Sequence, residues 1–154
     1  ISANAVQWFD SPLSFVAQSA RRLQAGGQLL FNTFTPKNFW QIKHLTGQGL
    51  YYPDINEWQL ALISAGFEII ELSTQHFELP FASPYAVLKH MKLTGVSTNR
   101  TQVNASNIQP FMWTKTRLQQ FESDYWQYFS AQDDAGQPIV HLTYEVLIVS
   151  AYKP

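Results

Sequence analysis

No stretch of this sequence restricts the fold more than Ile139 to Tyr152, which reads IVHLTYEVLIVSAY. It is long, β-branched and aromatic, with Gly136 and Pro138 before it and Pro154 after it, so it predicts a strand. One side-chain parity is Val140, Leu142, Tyr144, Val146 and Ile148, apolar along most of its length. The other runs His141, Thr143, Glu145 and then Leu147, Val149, Ala151. Alternate residues of a strand point to opposite faces, so the first half should keep one wet face and the second half should be covered on both. A strand covered on both faces lies inside a sheet with helices above and below it.

A chain of 154 residues suffices for one domain with a real core, and 1–154 reads as a single domain. Hydrophobic residues make up 45% and aromatic residues 15%, with five Trp and eleven Phe, which excludes disorder and implies dense packing. The net charge of -1 gives no global attraction to nucleic acid. Without cysteine there is neither a disulfide framework nor thiolate chemistry. No apolar run approaches the roughly 20 residues of a membrane span, and no signal peptide is visible. A cytoplasmic location is therefore expected. The first residue is Ile rather than Met, which reads as a processed or truncated piece.

Ile1 to Phe9 reads as a strand end entering a loop. Asp10 or Ser11 can cap a helix with Pro12 in its first turn. That helix, Leu13 to Leu23, carries Leu13, Val16, Ala17, Ala20 and Leu23 on one face. Arg21 and Arg22 suit its last turn, and Gly26-Gly27 stop it. Gln28 to Phe34 is a short apolar strand. Helix, Gly turn and strand form the second half of a β-α-β unit, which predicts a parallel sheet. A short aromatic helix follows at Asn38 to Leu45, then a loop with Gly47, Gly49 and Tyr51-Tyr52-Pro53. Asp54 and Glu57 read as a capping box opening a helix through Ala65. Phe67 to Leu79 predicts a second long strand, Ser83-Pro84 a helix over Tyr85 to Leu93, and Val96 to Pro110 a polar loop. Thr114 caps Lys115 to Phe129, with Leu118, Phe121, Tyr125 and Phe129 toward a core.

The chemical inventory is thin. Between Leu79 and Phe121 there is no Asp or Glu, yet Lys89, Lys92, Arg100, Lys115 and Arg117 fall there, half of the chain's ten basic residues. Such a stretch is either a solvated helical face or a cationic lid for an acidic partner or anionic ligand. The four histidines have no i, i+3 or i+4 partner, so no metal site is expected. No GxGxxG or GxxxxGK[ST] phosphate loop occurs. Trp40, Trp58, Trp113 and Trp126 read as core or lid packing.

Six strings taken in order carry a resemblance. SANAVQW (Ser2 to Trp8) is similar to the segment after the fourth strand of class I S-adenosylmethionine methyltransferases, most of all the malonyl-acyl-carrier-protein O-methyltransferases of biotin synthesis. RRLQAGGQLLFNTF resembles that family's helix, Gly turn and fifth strand, and LISAGFEII its entry to the sixth. SPYAVLKHMKLTGV resembles its basic helix, here with Lys89, Lys92 and Gly95. Thr114 to Leu118 resembles a T-[RK]-x-x-L string, and LTYEVLIVSAYK the family's final LTYH-type strand. Two positions depart: Ser2-Ala3-Asn4 where Ser-Asn often leads, and Glu145 after Leu-Thr-Tyr.

The resemblance implies an α/β fold. It is the C-terminal part of a Rossmann-like class I methyltransferase sheet, mixed, with an antiparallel last strand and a helical lid insertion over 80–137. It implies methyl transfer from S-adenosylmethionine to the free carboxylate of a malonyl thioester on acyl carrier protein. Ser2, Ala3 and Asn4 would touch the cofactor. Gln7, Trp8 and Tyr144 would line the substrate pocket. Lys89, Lys92 and Arg100 would dock the acidic carrier or its phosphopantetheine phosphate. No metal, nucleic acid or membrane is implied. The family's main cofactor-binding half lies upstream of these strings, so weak cofactor binding and no activity are expected of this piece by itself. With the preceding strands missing, Gln28 to Phe34 would be an uncharged sheet edge, and self-association through it is expected. Two other readings compete: a class I methyltransferase for another small carboxylic acid, and a non-catalytic module that binds an acidic protein.

Overall fold

The structure, a computed structural model, describes residues 1–3, 5–94 and 112–154. Asn4, Gly95, Arg100 and the polar loop expected over Val96 to Pro110 lie outside the described residues. The described chain forms a turn of 3-10 helix at Val6–Trp8, then α1 (Ser14–Arg22), β1 (Gln28–Phe34), α2 (Trp40–Thr46), α3 (Ile55–Ser64) and β2 (Glu68–Phe81). These are followed by α4 (Pro84–Leu93), α5 (Lys115–Phe129), β3 (Ser130–Gln132) and β4 (Pro138–Tyr152). The strand order is β1-β4-β2, with β3 paired to β4. The last strand therefore lies inside the sheet, and it runs antiparallel to β1, from Gln28↔Tyr152 to Phe34↔Val146. The mixed sheet with an antiparallel last strand, implied by the resemblance, is the sheet observed. The all-parallel sheet suggested by the β-α-β pattern is not.

Two compact units make up the chain. The first contains Ile1–Asn38, Tyr51–Phe77 and Tyr144–Pro154. The second contains Phe39–Leu50 and Glu78–Thr143.

In the first unit one face of the sheet is dry. Leu29 and Phe31 of β1 and Leu147, Val149 and Ala151 of β4 pack against Val16 of α1 and Trp58 and Leu62 of α3. Trp58 lies 5.2 Å from the Phe31 ring, and Phe15 stands edge-on to the same ring at 5.4 Å. The capping box closes as read: Glu57 N donates to Asp54 Oδ1 at 2.8 Å and Asp54 N to Glu57 Oε2 at 2.7 Å. Each end of the helix needs such partners, because its first N–H and last C=O groups have none within the helix. The start of α1 differs from expectation. Neither Asp10 nor Ser11 caps it; Leu13 stands at the cap without a side-chain bond, and Ser14 Oγ donates to Ser11 O at 2.7 Å instead. At its other end, Lys153 Nζ donates to Leu23 O at 2.7 Å and to Ala20 O, so Lys153 caps α1.

The strand end expected near Ile1 is present. Ser2 bridges Phe31 in parallel, donating its N–H to Leu30 O at 2.9 Å and accepting from Asn32 N at 3.2 Å. The middle of the β1 edge is thus occupied, not open.

The burial of β4 corrects the sequence reading. Thr143 and Glu145 were assigned to a wet face, but both are buried, with Leu147, Val149 and Ala151 continuing the same parity. Tyr144, Val146 and Ile148 are only half-buried. The second half of the strand is covered fully on one face and partly on the other, where Leu30 is 42% exposed.

In the second unit, α2, α4 and α5 enclose Phe39, Ile42, Val87, Met91, Phe121 and Tyr125, with Val140 and Leu142 of β4. Leu118, expected in this core, is 38% exposed. Tyr125 donates its hydroxyl to His141 O at 2.8 Å. β3 was not foreseen. It forms a hairpin with the start of β4 around Gly136, whose φ of 74° suits the DDAGQP turn. Leu147→Ala should cost about 2–5 kcal/mol in denaturant unfolding. Ile148→Ala, on the half-covered face, should cost markedly less; the reverse order would place the core on the wrong side of β4.

Candidate functional site

The polar groups of the first unit gather where β1 ends. Open α/β sheets bind ligands at the carboxyl ends of their parallel strands, and β1 ends at Phe34. The next four residues, Thr35 to Asn38, form a turn held against Glu145. Thr35 N donates to Glu145 O at 3.1 Å, and Glu145 N donates to Asn38 Oδ1 at 3.3 Å. The Thr35 hydroxyl donates to Glu145 Oε2, and Lys37 Nζ lies 3.7 Å from Oε1. Glu145 is 8% exposed, and a buried carboxyl group needs such hydrogen-bond partners.

Asn38 carries the arrangement across the strand edge. Its Oδ1 is occupied by the Glu145 amide, and its Nδ2 donates to the Tyr52 hydroxyl at 3.4 Å. Tyr52 is 6% exposed. Burial pushes its phenol up to about 12; the Asn38 bond works against that shift and Tyr144 adds slightly to it. Phe34 lies between the two phenols, 5.9 Å from Tyr52 and 6.2 Å from Tyr144, ring centre to ring centre. The result is a wall of three rings with hydroxyl groups on two of them. None of these groups is a strong base at neutral pH, so the site suits recognition of an oxygen-rich ligand better than proton abstraction.

The residues singled out in the sequence are distributed as follows. Ser2 is half-buried with its backbone bonded to β1, and Ala3 is exposed. Gln7 is half-buried and Trp8 is 37% exposed in the turn that follows. Tyr144 is not on the covered face of β4, as expected, but on the half-covered one with Phe34. Asn4 and Arg100 lie outside the described residues. Among the described residues no group of His, Asp and Glu could hold a metal ion. Thr35, Asn38, Tyr52 and Glu145 were not picked out for chemistry. The signal available was Thr-Pro-Lys-Asn after a strand, a turn rich in side-chain donors and acceptors.

Lys89 and Lys92 belong to the second unit. Ser83 caps their helix by accepting from Ala86 N at 3.2 Å, with Pro84 in the first turn. Pro84, Val87 and Met91 are buried, which turns Tyr85, Lys89 and Lys92 outward at i, i+4 and i+7. Tyr85 is 69% and Leu93 76% exposed. Neither lysine forms an ion pair among the described residues.

No family model matches the chain. Curated proteins do. A malonyl-[acyl-carrier protein] O-methyltransferase of Haemophilus ducreyi is 38% identical over 152 residues, 99% of this chain and 53% of that protein. Those of Acinetobacter baylyi and Bacteroides helcogenes are 36% and 39% identical, over 99% and 97% of this chain and 56% and 50% of their own lengths. The chain thus spans about half the length of the curated relatives it matches, and the resemblance read from six strings extends over nearly all of it. Among solved structures, a candidate methyltransferase from Bacillus halodurans C-125 superposes with a TM-score of 0.59 at 22% identity, covering 99% of this chain and 68% of that one. The YcgJ protein of Bacillus subtilis gives 0.56 at 15% identity, covering 99% and 62%. These two share the fold.

The buried phenols make alkaline stability a test of the site. A tyrosine whose phenol is raised in the fold contributes stability that is complete below its unfolded value near 10 and is lost above it. Tyr52, and Tyr125 with its phenol also raised by burial, should each cost about 1.4 kcal/mol per pH unit as pH rises from 10 toward 12. Urea unfolding at pH 9, 10 and 11 should show this slope, and Tyr52→Phe should reduce it.

Proposed function

We propose that this chain is the substrate-binding part of an O-methyltransferase that moves a methyl group from S-adenosylmethionine to the free carboxylate of a malonyl thioester on acyl carrier protein, an early step of biotin synthesis. The observation that carries this reading is the identity of 36–39% with malonyl-[acyl-carrier protein] O-methyltransferases over nearly the whole chain.

The chemistry suits the residues. When bound, S-adenosylmethionine supplies a methyl group on a sulfonium, open to in-line attack. A carboxylate is already ionised at neutral pH, so its attack needs no general base. Rate then comes from alignment and from excluding water. Three rings at the end of β1 offer a shaped apolar wall, and their hydroxyls offer neutral donors. Toward the cofactor the described residues fit a lip and not a cradle: Ser2 has its backbone bonded to β1 and Ala3 is open. Ser2, Ala3 and Asn4 are proposed to border the methionine end, and Gln7 and Trp8 to stand beside the transfer point. The segment 80–137 is proposed as the lid.

Acyl carrier protein would meet the outward face of α4. Lys89 and Lys92 lie one turn apart there, without an acidic partner among the described residues, beside exposed Tyr85 and Leu93. Arg100, outside the described residues, is proposed to act on the same carrier. Exposed charges at an interface rim act mainly on encounter rate and salt dependence.

Two measurements test this. In a protein of the relatives' full length, Lys89→Glu with Lys92→Glu should slow methylation of the malonyl carrier about tenfold at low salt, with the loss shrinking as salt rises. Methylation of a small malonyl thioester should be unchanged; equal loss on both would place the lysines at the acyl carboxylate instead. The 154-residue chain alone should show no S-adenosylmethionine binding by calorimetry, since a lip cannot offset the cost of immobilising the ligand. Micromolar or tighter binding would reveal a cofactor site within these residues.

A further inference from the structure

We propose that Tyr52 is the residue that holds the reacting carboxylate, donating its hydroxyl proton to one carboxylate oxygen and leaving the other free to attack. This rests on the carboxyl-methyltransferase reading above and deepens it by naming the contact that recognises the acid.

The argument starts from Asn38. Its side-chain oxygen is taken by the backbone N–H of Glu145 at 3.3 Å, so its NH₂ group is the end that faces Tyr52. An amide NH₂ only donates, so the Tyr52 oxygen is the acceptor at 3.4 Å. The Tyr52 proton must then point elsewhere. No described residue accepts it, although the residue is only 6% exposed. A buried donor without an acceptor costs free energy, and such groups concentrate where a ligand completes the set. A structural tyrosine in the same chain looks different: Tyr125, also buried, donates its proton to His141 O at 2.8 Å.

The surroundings say what kind of ligand fits. Phe34, the last residue of β1, stands against Tyr52, with Tyr144 on its other side. Burial keeps the Tyr52 phenol protonated, so at neutral pH it is always a donor. A neutral donor bonds a carboxylate more strongly than a neutral carbonyl, because the acceptor is charged. It also leaves the anion unprotonated. Glu145 does not compete for this position: its carboxylate accepts from Thr35 and lies beside Lys37. The ligand class is therefore a short acyl chain ending in a free carboxylate.

The test uses the full-length protein, with malonyl-pantetheine and acetyl-pantetheine as probes in calorimetry. The wild type should bind the malonyl thioester more tightly than the acetyl one. Tyr52→Phe should weaken malonyl binding roughly 10- to 100-fold, as expected for a lost hydrogen bond to a charged group. Acetyl binding should stay where it is, and the unfolding midpoint at pH 7 should fall only by what the lost Asn38 bond contributes. Methylation of malonyl-pantetheine should fall in kcat/KM by a similar factor. A Tyr52→Phe variant that still discriminates as well as the wild type overturns the assignment. So does equal loss on both probes, which would make Tyr52 a packing residue. A wild type that binds the two probes alike has no carboxylate site, and that result overturns the proposed function together with this assignment.

Discussion

The buried carboxylate of Glu145 is the constraint around which the upper part of the first unit is arranged. A polar side chain placed among apolar residues is tolerated only if it is hydrogen-bonded. Here the partners come from one short turn, Thr35 to Asn38, and both the backbone and the side chain of Glu145 take part. Placing Glu145 in β4 therefore fixes where β1 must end and how the chain leaves it. One step away along β4, in the second unit, Thr143 does the same for α2. Its hydroxyl accepts from Gln41 and Trp40, and its carbonyl accepts from Phe39 N. Phe39 has a φ of 55°, a conformation unusual for a residue with a β-carbon, and that backbone bond helps to hold it there.

These ties explain both what the sequence revealed and where it misled. Helix positions were readable because their signals are local: the Asp54–Glu57 box, Ser83-Pro84 and Thr114 each cap the helix expected of them. The long apolar strands were readable from composition, and the antiparallel insertion of the last strand from family resemblance, not from the β-α-β pattern. The faces of β4 were not readable. Thr143 and Glu145 look like surface residues in a one-dimensional pattern, and their burial depends on partners more than a hundred positions earlier. Polarity marked them as wet; hydrogen bonding made them dry.

The candidate site was legible in outline only. Tyr144 was singled out, and it does stand beside the end of β1, though on the half-covered face. Tyr52 was passed over as part of a Tyr-Tyr-Pro loop, because nothing within that loop distinguishes one tyrosine from the other. The distinction is tertiary. Tyr51 is 47% exposed and donates to Glu57, the residue that closes the capping box, whereas Tyr52 turns inward to Asn38.

The strand order also sets the sequence of events as the protein is made. β1 and β2 are never neighbours; both pair with β4, which follows both of them in the chain. Until Pro138–Tyr152 has emerged, the sheet has no centre, α1 lacks the Lys153 ammonium on its final carbonyls, and the turn after β1 has no Glu145 to fold against. Pairing residues so far apart must overcome a long loop closure, which is characteristic of slow folding. Between the emergence of β2 and that of β4, a nascent chain of this kind presents two waiting strands.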